Sequence, residues 1–366
     1  MLYRKLGKTG LEVSAIGLGC GELGSSRTEY AAKIVTRALE LGVNYFDTAR
    51  RYWDSEIKVG SALKGAREEV YISTKTPAVT REEAWQHIRE SLQRLQTDYL
   101  DNCHLHNLVN EKDLERRVGS GGALEALVEA RDQGLIRHIG CTSHLSRVLI
   151  RALEDFDFEI IMVPMNIVER EPLEELIPLC NRKGVGVTIM KPLATGILPA
   201  RLALKWLLNQ PIATAVPGTT TIEEVEEGAL VGHLEDITLT NKEKGEVDRL
   251  ATRLEHVRCR ICYECEPCPK GIRIPTVLGT DMFREQYRTM GPEGFRFFPW
   301  SEEIVKNHLE ERRQKMSAVR SCNECGECEE KCPYHLPIIR MLKETVEPME
   351  DMLKIWSEQL GIKPTP

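Results

Sequence analysis

The sequence predicts an α/β fold in which a (β/α)8 barrel, or TIM barrel, is followed by a small, cysteine-rich α-helical domain. The 366 residues exceed one ordinary core of about 150 residues. Over roughly the first 230 residues, short β-branched runs alternate with longer helical patterns, and eight such units favour a parallel barrel. Eight of the twelve cysteines fall in two clusters after residue 258. We therefore place the barrel at 1–255 and the second domain at 256–366.

The predicted barrel strands are short apolar runs rich in Val and Ile. They are Val13–Gly19, Val43–Asp47, Glu69–Lys75, Tyr99–His104, Ile136–Cys141, Ile160–Met165, Val185–Met190 and Ile212–Val216. A hairpin over Leu2–Val13 precedes them and closes the barrel floor. A doubly wound sheet is less favoured because its G-x-G-x-x-G turn is incomplete: Gly17 and Gly19 are present, but Ser25 stands near the next helix.

The predicted helices repeat their apolar residues at helical spacing. In the barrel they are Thr28–Leu41, Ser55–Leu63, Thr80–Leu95, Ala123–Gln133, Leu145–Glu154, Leu173–Arg182, Ala200–Leu208 and Ile222–Val231. In the second domain they are Phe283–Met290, Glu302–Met316 and Ile338–Leu360. Thr28 is expected to cap the first helix, and Gly42 to end it. Thr80 and Glu83 have the spacing of a capping box.

The composition excludes several classes of protein. The chain is 42% hydrophobic and 29% charged, which is typical of a globular rather than a disordered protein. With 49 basic and 56 acidic side chains the net charge is −7, and no long Lys/Arg block suggests a nucleic-acid or membrane-surface partner. No apolar run approaches the roughly 20 residues that span a bilayer. The first residues lack the apolar stretch of a signal peptide, so a cytoplasmic protein is expected.

Four residues near the strand ends predict an acid–base site, because reactive residues of such barrels lie where strands run into the following loops. Asp47, Lys75 and His106 stand at or just past strand ends, and Tyr52 lies in the loop after Asp47. A tyrosine is a poor acid at neutral pH unless a nearby cation favours its phenolate. Lys75 can be that cation, held by Asp47, while His106 orients a carbonyl or relays a proton.

Six segments resemble, in their order and spacing, the motifs of the aldo-keto reductase family. They are Phe46–Glu56, Ser73–Lys75, Asp98–His106, Arg137–His144, Lys191–Leu198 and Val216–Thr219. The resemblance covers about residues 1–232. It implies reversible hydride transfer between NAD(P)H and a small-molecule carbonyl or alcohol. It also implies that Tyr52 donates the proton and that His106 stabilises the developing oxyanion.

The same resemblance implies which residues hold the cofactor. They are Gly19, Cys20, Thr142, Ser143, Met162, Lys191, Pro192, Leu193, Gly196, Pro217, Gly218, Thr219, Glu224 and Glu227. Some positions depart from the family pattern. Met162 stands where the family usually has an amide that grips the carboxamide, and Trp53 replaces a glycine. In the fourth strand, Asn102 and His104 replace apolar residues, and His104 is interpreted as a hydrogen-bonded core histidine.

The segment that usually meets a cofactor 2′-phosphate contains no cation, since Thr219–Glu224 reads T-T-T-I-E-E. One interpretation is that the two glutamates only complement the helix dipole. The other is that carboxylates there repel a 2′-phosphate or bind the ribose hydroxyls. The choice between NADH and NADPH therefore stays open.

The two cysteine clusters predict a helical ferredoxin-like domain with two [4Fe–4S] clusters. The first run is Cys259, Cys262, Cys265 and Cys268, and the second is Cys322, Cys325, Cys328 and Cys332. The second run fits the bacterial ferredoxin spacing, in which the cysteine before proline serves the other cluster. The first run is one residue short of that pattern. If this exchange holds, Cys332 shares a cluster with the first three cysteines and Cys268 shares one with the second three. Ligation within each run and a pair of structural zinc sites are the alternatives.

The clusters have three candidate roles: electron transfer to a flavoprotein or ferredoxin partner, redox sensing, and structural stabilisation. A nicotinamide passes two electrons as hydride and each cluster passes one, so coupling them needs a converter such as a flavin. The sequence shows no flavin motif. An alternative function is a redox-sensing or electron-transfer protein whose barrel binds the nicotinamide without turning over a carbonyl.

Overall fold

The computed structural model describes residues 1–279 and 302–361. These residues form two compact units. The first unit comprises Met1–Ala194 and Leu198–Arg249, and the second comprises Thr195–Ile197 and Leu250–Pro366. The described helices include none that is long and apolar enough to cross a bilayer.

The first unit contains the predicted barrel of eight parallel strands. After the hairpin strands β1 (Tyr3–Lys5) and β2 (Glu12–Ser14), the barrel strands are β3 (Leu18–Gly19), β4 (Tyr45–Asp47), β5 (Tyr71–Thr76), β6 (Leu100–Leu105), β7 (Ile136–Thr142), β8 (Ile160–Pro164), β9 (Gly186–Met190) and β10 (Thr214–Ala215). Each strand pairs with the next along the chain. The first and last strands close the ring, because Gly17 N donates to Ala215 O at 2.9 Å and Gly19 N to Pro217 O at 2.9 Å.

The predicted strand Val13–Gly19 is divided between two structures. Its first residues pair in the hairpin, where Arg4 faces Val13, and its last two pair with β4. The hairpin covers the amino ends of the strands, and Leu6 is buried there beside Tyr45 and Ile160. Gly7 comes so close to the start of β9 that a Cβ atom would lie 2.3 Å from Gly186 N. This contact confirms the predicted hairpin as the floor of the barrel.

The helices of the first unit surround the strands. They are α1 (Thr28–Glu40), α2 (Ser55–Leu63), α3 (Arg81–Leu95), α4 (Glu111–Val118), α5 (Ala123–Asp132), α6 (Ser146–Asp155), α7 (Leu176–Lys183), α8 (Ala200–Leu208), α9 (Ile222–Gly232) and α10 (Asn241–Leu254), the last extending into the second unit. The N-cap of α1 is Arg27, without a side-chain cap, so the expected cap at Thr28 is wrong. Thr80 does cap α3 by accepting from Glu83 N, but the Glu83 carboxylate accepts from Val79 N instead of closing the box.

Helices α4 and α10 were not predicted from the sequence. Helix α4 reads E-K-D-L-E-R-R-V, and so many charges leave no apolar periodicity to identify. Its start carried a usable signal, because Asn110 accepts a hydrogen bond from Asp113 N at 2.9 Å as an N-cap. Helix α10 begins in the same way after Thr240, whose hydroxyl accepts from Glu243 N.

The second unit is helical, as predicted. Its further described helices are α11 (Ile274–Leu278), α12 (Glu302–Arg320), α13 (Glu327–Glu330) and α14 (Ile338–Gln359). The predicted helices Glu302–Met316 and Ile338–Leu360 correspond to α12 and α14, whereas the predicted Phe283–Met290 lies outside the described residues. One buried apolar cluster joins the two cysteine runs to α11 and the start of α14, with Cys259, Cys265 and Cys332 among its members.

Candidate active site and cysteine-lined cavities

A buried ion pair lies at the carboxyl ends of β4 and β5. Lys75 Nζ donates to Asp47 Oδ2 at 2.6 Å and to the Thr48 carbonyl oxygen at 2.7 Å. Lys75 is 2% exposed and Asp47 4%. Two charges so far from water are stable only when they are paired and hydrogen-bonded, and this geometry supplies both conditions.

Tyr52 is held over this ion pair by the loop after β4. The centre of its ring lies 4.9 Å from Lys75 Nζ. The ring also meets His106 edge-on, with 5.7 Å between ring centres. The structure thus brings together all four residues that the sequence predicted for an acid–base site.

The pKa of Tyr52 depends on two opposing effects. Burial raises the pKa of the phenol, and the Lys75 ammonium lowers it by favouring the phenolate. Burial has the larger effect, so the net pKa lies above the usual value of 10.0. The sequence hypothesis therefore identified the right cation but not the direction of the net shift. Tyr52 is therefore protonated at neutral pH.

His106 is neutral at ordinary pH. Burial, followed by the charges of Lys75 and Arg51, lowers the pKa of its imidazole well below 6.5. Arg117 fixes the backbone at this point by donating from Nη1 to the His106 carbonyl oxygen at 2.9 Å. A neutral imidazole with one N–H can donate a hydrogen bond to a carbonyl oxygen without adding another charge beside Lys75.

His104 lies inside the barrel next to Lys75, its partner in the register of β5 and β6. Its Nε2 is 2.6 Å from Asn102 Nδ2, which also donates to Ser73 Oγ at 3.0 Å. This hydrogen bond confirms the interpretation of His104 as a core histidine. Gly140 makes room for the ring, since a Cβ atom there would lie 2.3 Å from His104 Nδ1.

Most predicted cofactor residues lie at or beyond the carboxyl ends of strands. Gly19 and Cys20 end or follow β3, Thr142 and Ser143 end or follow β7, Lys191–Leu193 follow β9, and Pro217–Thr219 follow β10. Gly19 has a structural explanation as well, because a Cβ atom would lie 2.8 Å from Pro217 O where the barrel closes. Gly196 differs from the others in that its segment, Thr195–Ile197, belongs to the second unit.

Met162 and Glu224 are engaged in structural contacts. Met162 is 1% exposed and belongs to the buried apolar cluster that contains Leu6 and Tyr45. Glu224 forms a capping box with Thr221 at the start of α9, and its Oε2 also accepts from Thr220 N at 2.6 Å. Glu227 is exposed on the same helix. The carboxylate of Glu224 therefore already occupies the helix end where a phosphate group would otherwise be favoured.

Several residues that support the site were missed from the sequence. A Cβ atom on Gly24 would lie 2.0 Å from the Tyr52 carbonyl oxygen, so only glycine allows this approach to the loop that carries Tyr52. Ser55 Oγ donates to Cys20 O at 2.7 Å and lies 2.8 Å from Thr48 Oγ1, which ties the same loop to β3 and β4. These contacts join residues that are distant in the sequence, and no local pattern indicates them.

The cysteines of the second unit line two cavities. One cavity is lined by Cys268 together with Cys322, Cys325 and Cys328. The other cavity is lined by Cys259, Cys262 and Cys332. Cys265 lines both cavities. This grouping favours the exchanged pairing, in which the last cysteine of each run joins the first three of the other.

The two cysteine loops share two positions with positive φ, which fits iron–sulfur clusters. The residues two and four positions after the first cysteine have positive φ in both: 58° at Ile261 and 63° at Tyr263, then 57° at Glu324 and 84° at Gly326. Such alternation turns successive N–H groups inward to form a concavity that suits an anionic group. Ile261 N donates to Cys259 Sγ at 3.4 Å.

Zinc sites and iron–sulfur clusters need different arrangements of thiolates. Within 1–279 and 302–361, no three Cys, His, Asp or Glu side chains converge on a position for one metal ion. A structural zinc site needs four ligands around a single ion. A [4Fe–4S] cluster is held by four thiolates that each bind a different iron, so their sulfur atoms lie farther apart. The cavities therefore favour clusters over zinc.

Comparisons with known proteins match both units. A model of the aldo/keto reductase family matches residues 15–201, and a model of a 4Fe-4S dicluster domain matches residues 258–337. An uncharacterized oxidoreductase of Bacillus subtilis is 32% identical over 212 residues, which span 54% of this chain and 67% of the relative. These matches confirm the resemblance seen in the sequence.

Solved structures of aldo-keto reductases resemble the barrel. The holo form of an enzyme from Bacillus halodurans has a TM-score of 0.60 and 29% identity, covering 69% of this chain and 96% of its own. An enzyme from Klebsiella pneumoniae, in complex with NADP and acetate, has a TM-score of 0.58 and 26% identity, covering 67% of this chain and 94% of its own.

Proposed function

Because this chain belongs to the aldo/keto reductase family and carries a 4Fe-4S dicluster domain, we propose that it is an NAD(P)H-dependent oxidoreductase acting on a carbonyl or the corresponding alcohol. The observation that carries the proposal is the position of Tyr52 over the Lys75–Asp47 ion pair, with His106 at its edge. A phenol, an ammonium and a neutral imidazole at one barrel mouth are the groups that protonate and orient a carbonyl oxygen.

Each of the four residues has a separate role in this proposal. Tyr52 holds the proton that passes to the carbonyl oxygen during reduction and accepts it back during oxidation. Lys75 stabilises the phenolate that forms, and Asp47 keeps the lysine charged and in place. His106 donates a hydrogen bond to the same carbonyl oxygen and so selects its orientation.

The cofactor proposal follows from the strand ends. A nicotinamide supplies or accepts the hydride in this chemistry. Residues of the segments after β3, β7, β9 and β10 would hold it, and the Klebsiella relative is similar to this chain and binds NADP. In α9, the Glu224 carboxylate caps the helix and no cation stands in Thr219–Glu224, which favours NADH over NADPH.

The proposal for the second domain, 256–366, is that its eight cysteines hold two [4Fe–4S] clusters. The two cavities, the matching loops and the 4Fe-4S dicluster model support it. Such clusters transfer one electron at a time. We propose exchange of these electrons with a flavoprotein or ferredoxin. Clustered thiolates suit a reducing compartment, so cytoplasmic location is part of the same proposal.

Anaerobic assays with NADH and NADPH against a panel of aldehydes, ketones and quinones test this function. The Tyr52→Phe variant should lose carbonyl reduction and keep cofactor affinity within a few-fold. Full turnover in that variant would contradict the mechanism, and absence of binding to either nucleotide would contradict the function itself.

A second candidate function is redox sensing, in which the barrel binds nicotinamide without turning over a carbonyl. The burial of Met162 among apolar side chains favours it, because no amide stands at the position expected to grip the carboxamide. Nucleotide binding together with no reduction of any carbonyl in the panel would select this function over the first.

A further inference from the structure

The two cysteine-lined cavities differ in the charged side chains that line them. In the cavity of Cys259, Cys262 and Cys332, Arg260 is the only charged side chain among the described lining residues. The other cavity is lined by both Lys270 and Glu327, and Glu327 Oε2 also lies 3.6 Å from Lys331 Nζ. One such difference lies at an equivalent position of the two runs, where the residue that follows the first cysteine is Arg260 in one and Asn323 in the other.

Arg260 is fixed at its cavity by both of the chain segments that supply cysteines there. It directly follows Cys259, and its guanidinium carbon lies 4.1 Å above the ring of Tyr334, two residues after Cys332. The Tyr334 carbonyl oxygen is in turn 3.0 Å from His256 Nδ1. A guanidinium keeps its charge at any ordinary pH and stacks on aromatic faces, so this position supplies a permanent positive charge.

We propose that the charge of Arg260 raises the reduction potential of the cluster held by Cys259, Cys262, Cys265 and Cys332. Reduction adds one negative charge to a cluster, and a fixed cation beside it stabilises that charge. Burial of Cys259, Cys265 and Cys332 acts in the opposite direction, because low dielectric disfavours added charge. The proposal therefore concerns the contribution of Arg260, which substitution isolates, and not the order of the two potentials.

The test is a redox titration of the purified full-length protein, followed by electron paramagnetic resonance, which resolves the reduced clusters. In Arg260→Asn, the reduction potential of the cluster beside residue 260 should fall. Half-reduction of that cluster should need a tenfold higher ratio of reduced to oxidised mediator, which corresponds to a fall of about 59 mV for a one-electron couple. The other cluster should not move. Asn323→Arg places the same charge at the equivalent position of the other run, and should raise the potential of the second cluster only.

Two control variants separate charge from structure. Arg260→Lys keeps the charge and should retain most of the wild-type potential. Lys270→Gln removes a cation of the other cavity that is exposed to water and therefore screened, and should shift either potential much less than Arg260→Asn does. If Arg260→Asn fails to assemble a cluster, Asn323→Arg still tests whether a cation at this position raises a cluster's reduction potential, because it leaves the first cavity intact.

The proposal is overturned if Arg260→Asn moves neither potential or moves both equally, if Asn323→Arg leaves the second cluster unchanged, or if the wild-type protein contains no second cluster. It rests on the proposed clusters but not on the reaction of the barrel. Absence of carbonyl reduction would therefore contradict the proposed enzyme and leave this inference standing.

Discussion

Lys75 Nζ lies 2.6 Å from Asp47 Oδ2, and both side chains are buried, with 1% of the Lys75 side chain and 5% of the Asp47 side chain exposed. Burial opposes the charged form of Lys75, but Asp47 and Tyr52 outweigh it and raise the pKa of the ammonium. The pair is therefore both a source of positive charge beside Tyr52 and a buried ion pair on which the folded barrel depends. Removing either partner leaves an unpaired buried charge, which typically costs about 3–5 kcal/mol.

Lys75→Met should separate these two roles. We expect carbonyl reduction to fall by about 10²–10⁴-fold, because the Tyr52 phenolate loses its counter-charge. We also expect the free energy of unfolding to fall by about 3–5 kcal/mol, because Asp47 is left alone. Single-turnover kinetics and urea unfolding measure the two effects. The double variant Asp47→Asn, Lys75→Met should recover much of the stability and none of the activity. Recovery of activity would show that the ammonium is not required.

The rate of carbonyl reduction and the rate of alcohol oxidation should depend differently on pH. Because the pKa of Tyr52 is raised above 10.0, the phenol stays protonated and the rate of reduction should be constant up to about pH 10. Alcohol oxidation needs the phenolate and should rise with pH over the same range. No inflection is expected near pH 6.5, since the pKa of His106 lies well below that value. Single-turnover rates against pH test this, and a fall in the reduction rate between pH 7 and 9 would show that the effect of Lys75 exceeds that of burial.

Gly24→Ala should impair catalysis without touching any catalytic side chain. The added methyl group would lie 2.0 Å from the Tyr52 carbonyl oxygen, so the loop must shift and displace the phenol. We expect kcat to fall by about 10²-fold while cofactor affinity changes little. Gly245→Ala is the matched control, because nothing lies within 4 Å of its Cβ position in the exposed part of α10. That variant should keep wild-type kinetics and gain about 0.5–1 kcal/mol of stability.

Paired cysteine substitutions should show which thiolates share a cluster. If the cavities group the ligands correctly, Cys259→Ala with Cys332→Ala removes two ligands of one cluster and leaves about four iron atoms per chain. Cys322→Ala with Cys332→Ala removes a ligand from each cluster and should lower the iron content further. Iron analysis and visible absorption measure the result. Ligation within each run predicts the reverse order of the two double variants.

Much of the fold could be predicted from the sequence because its signals are local. The apolar periodicity of Ser55–Leu63 and Ala200–Leu208 predicts both helices with the bounds that the structure has. Helix α4 escaped prediction because its charges conceal its buried side, which includes Leu114 and Arg117. The strand at Val13–Gly19 was predicted as one element because sequence periodicity does not show where a strand changes partners.

The sequence alone determined the identities and the order of the reactive groups: Asp47, Tyr52, Lys75 and His106 in the barrel, and the cysteine spacing after it. In a parallel barrel the carboxyl ends of all strands lie at the same rim, so the sequence also predicts that the four barrel residues lie close together. Tertiary structure alone decided the direction of the Tyr52 pKa shift, and it favours the pairing of Cys268 with the second run over ligation within each run. It also placed Arg260 against Tyr334. The physical reason is that burial, electrostatic effects and stacking depend on distances between residues that are remote in the chain, and a sequence pattern records only neighbours.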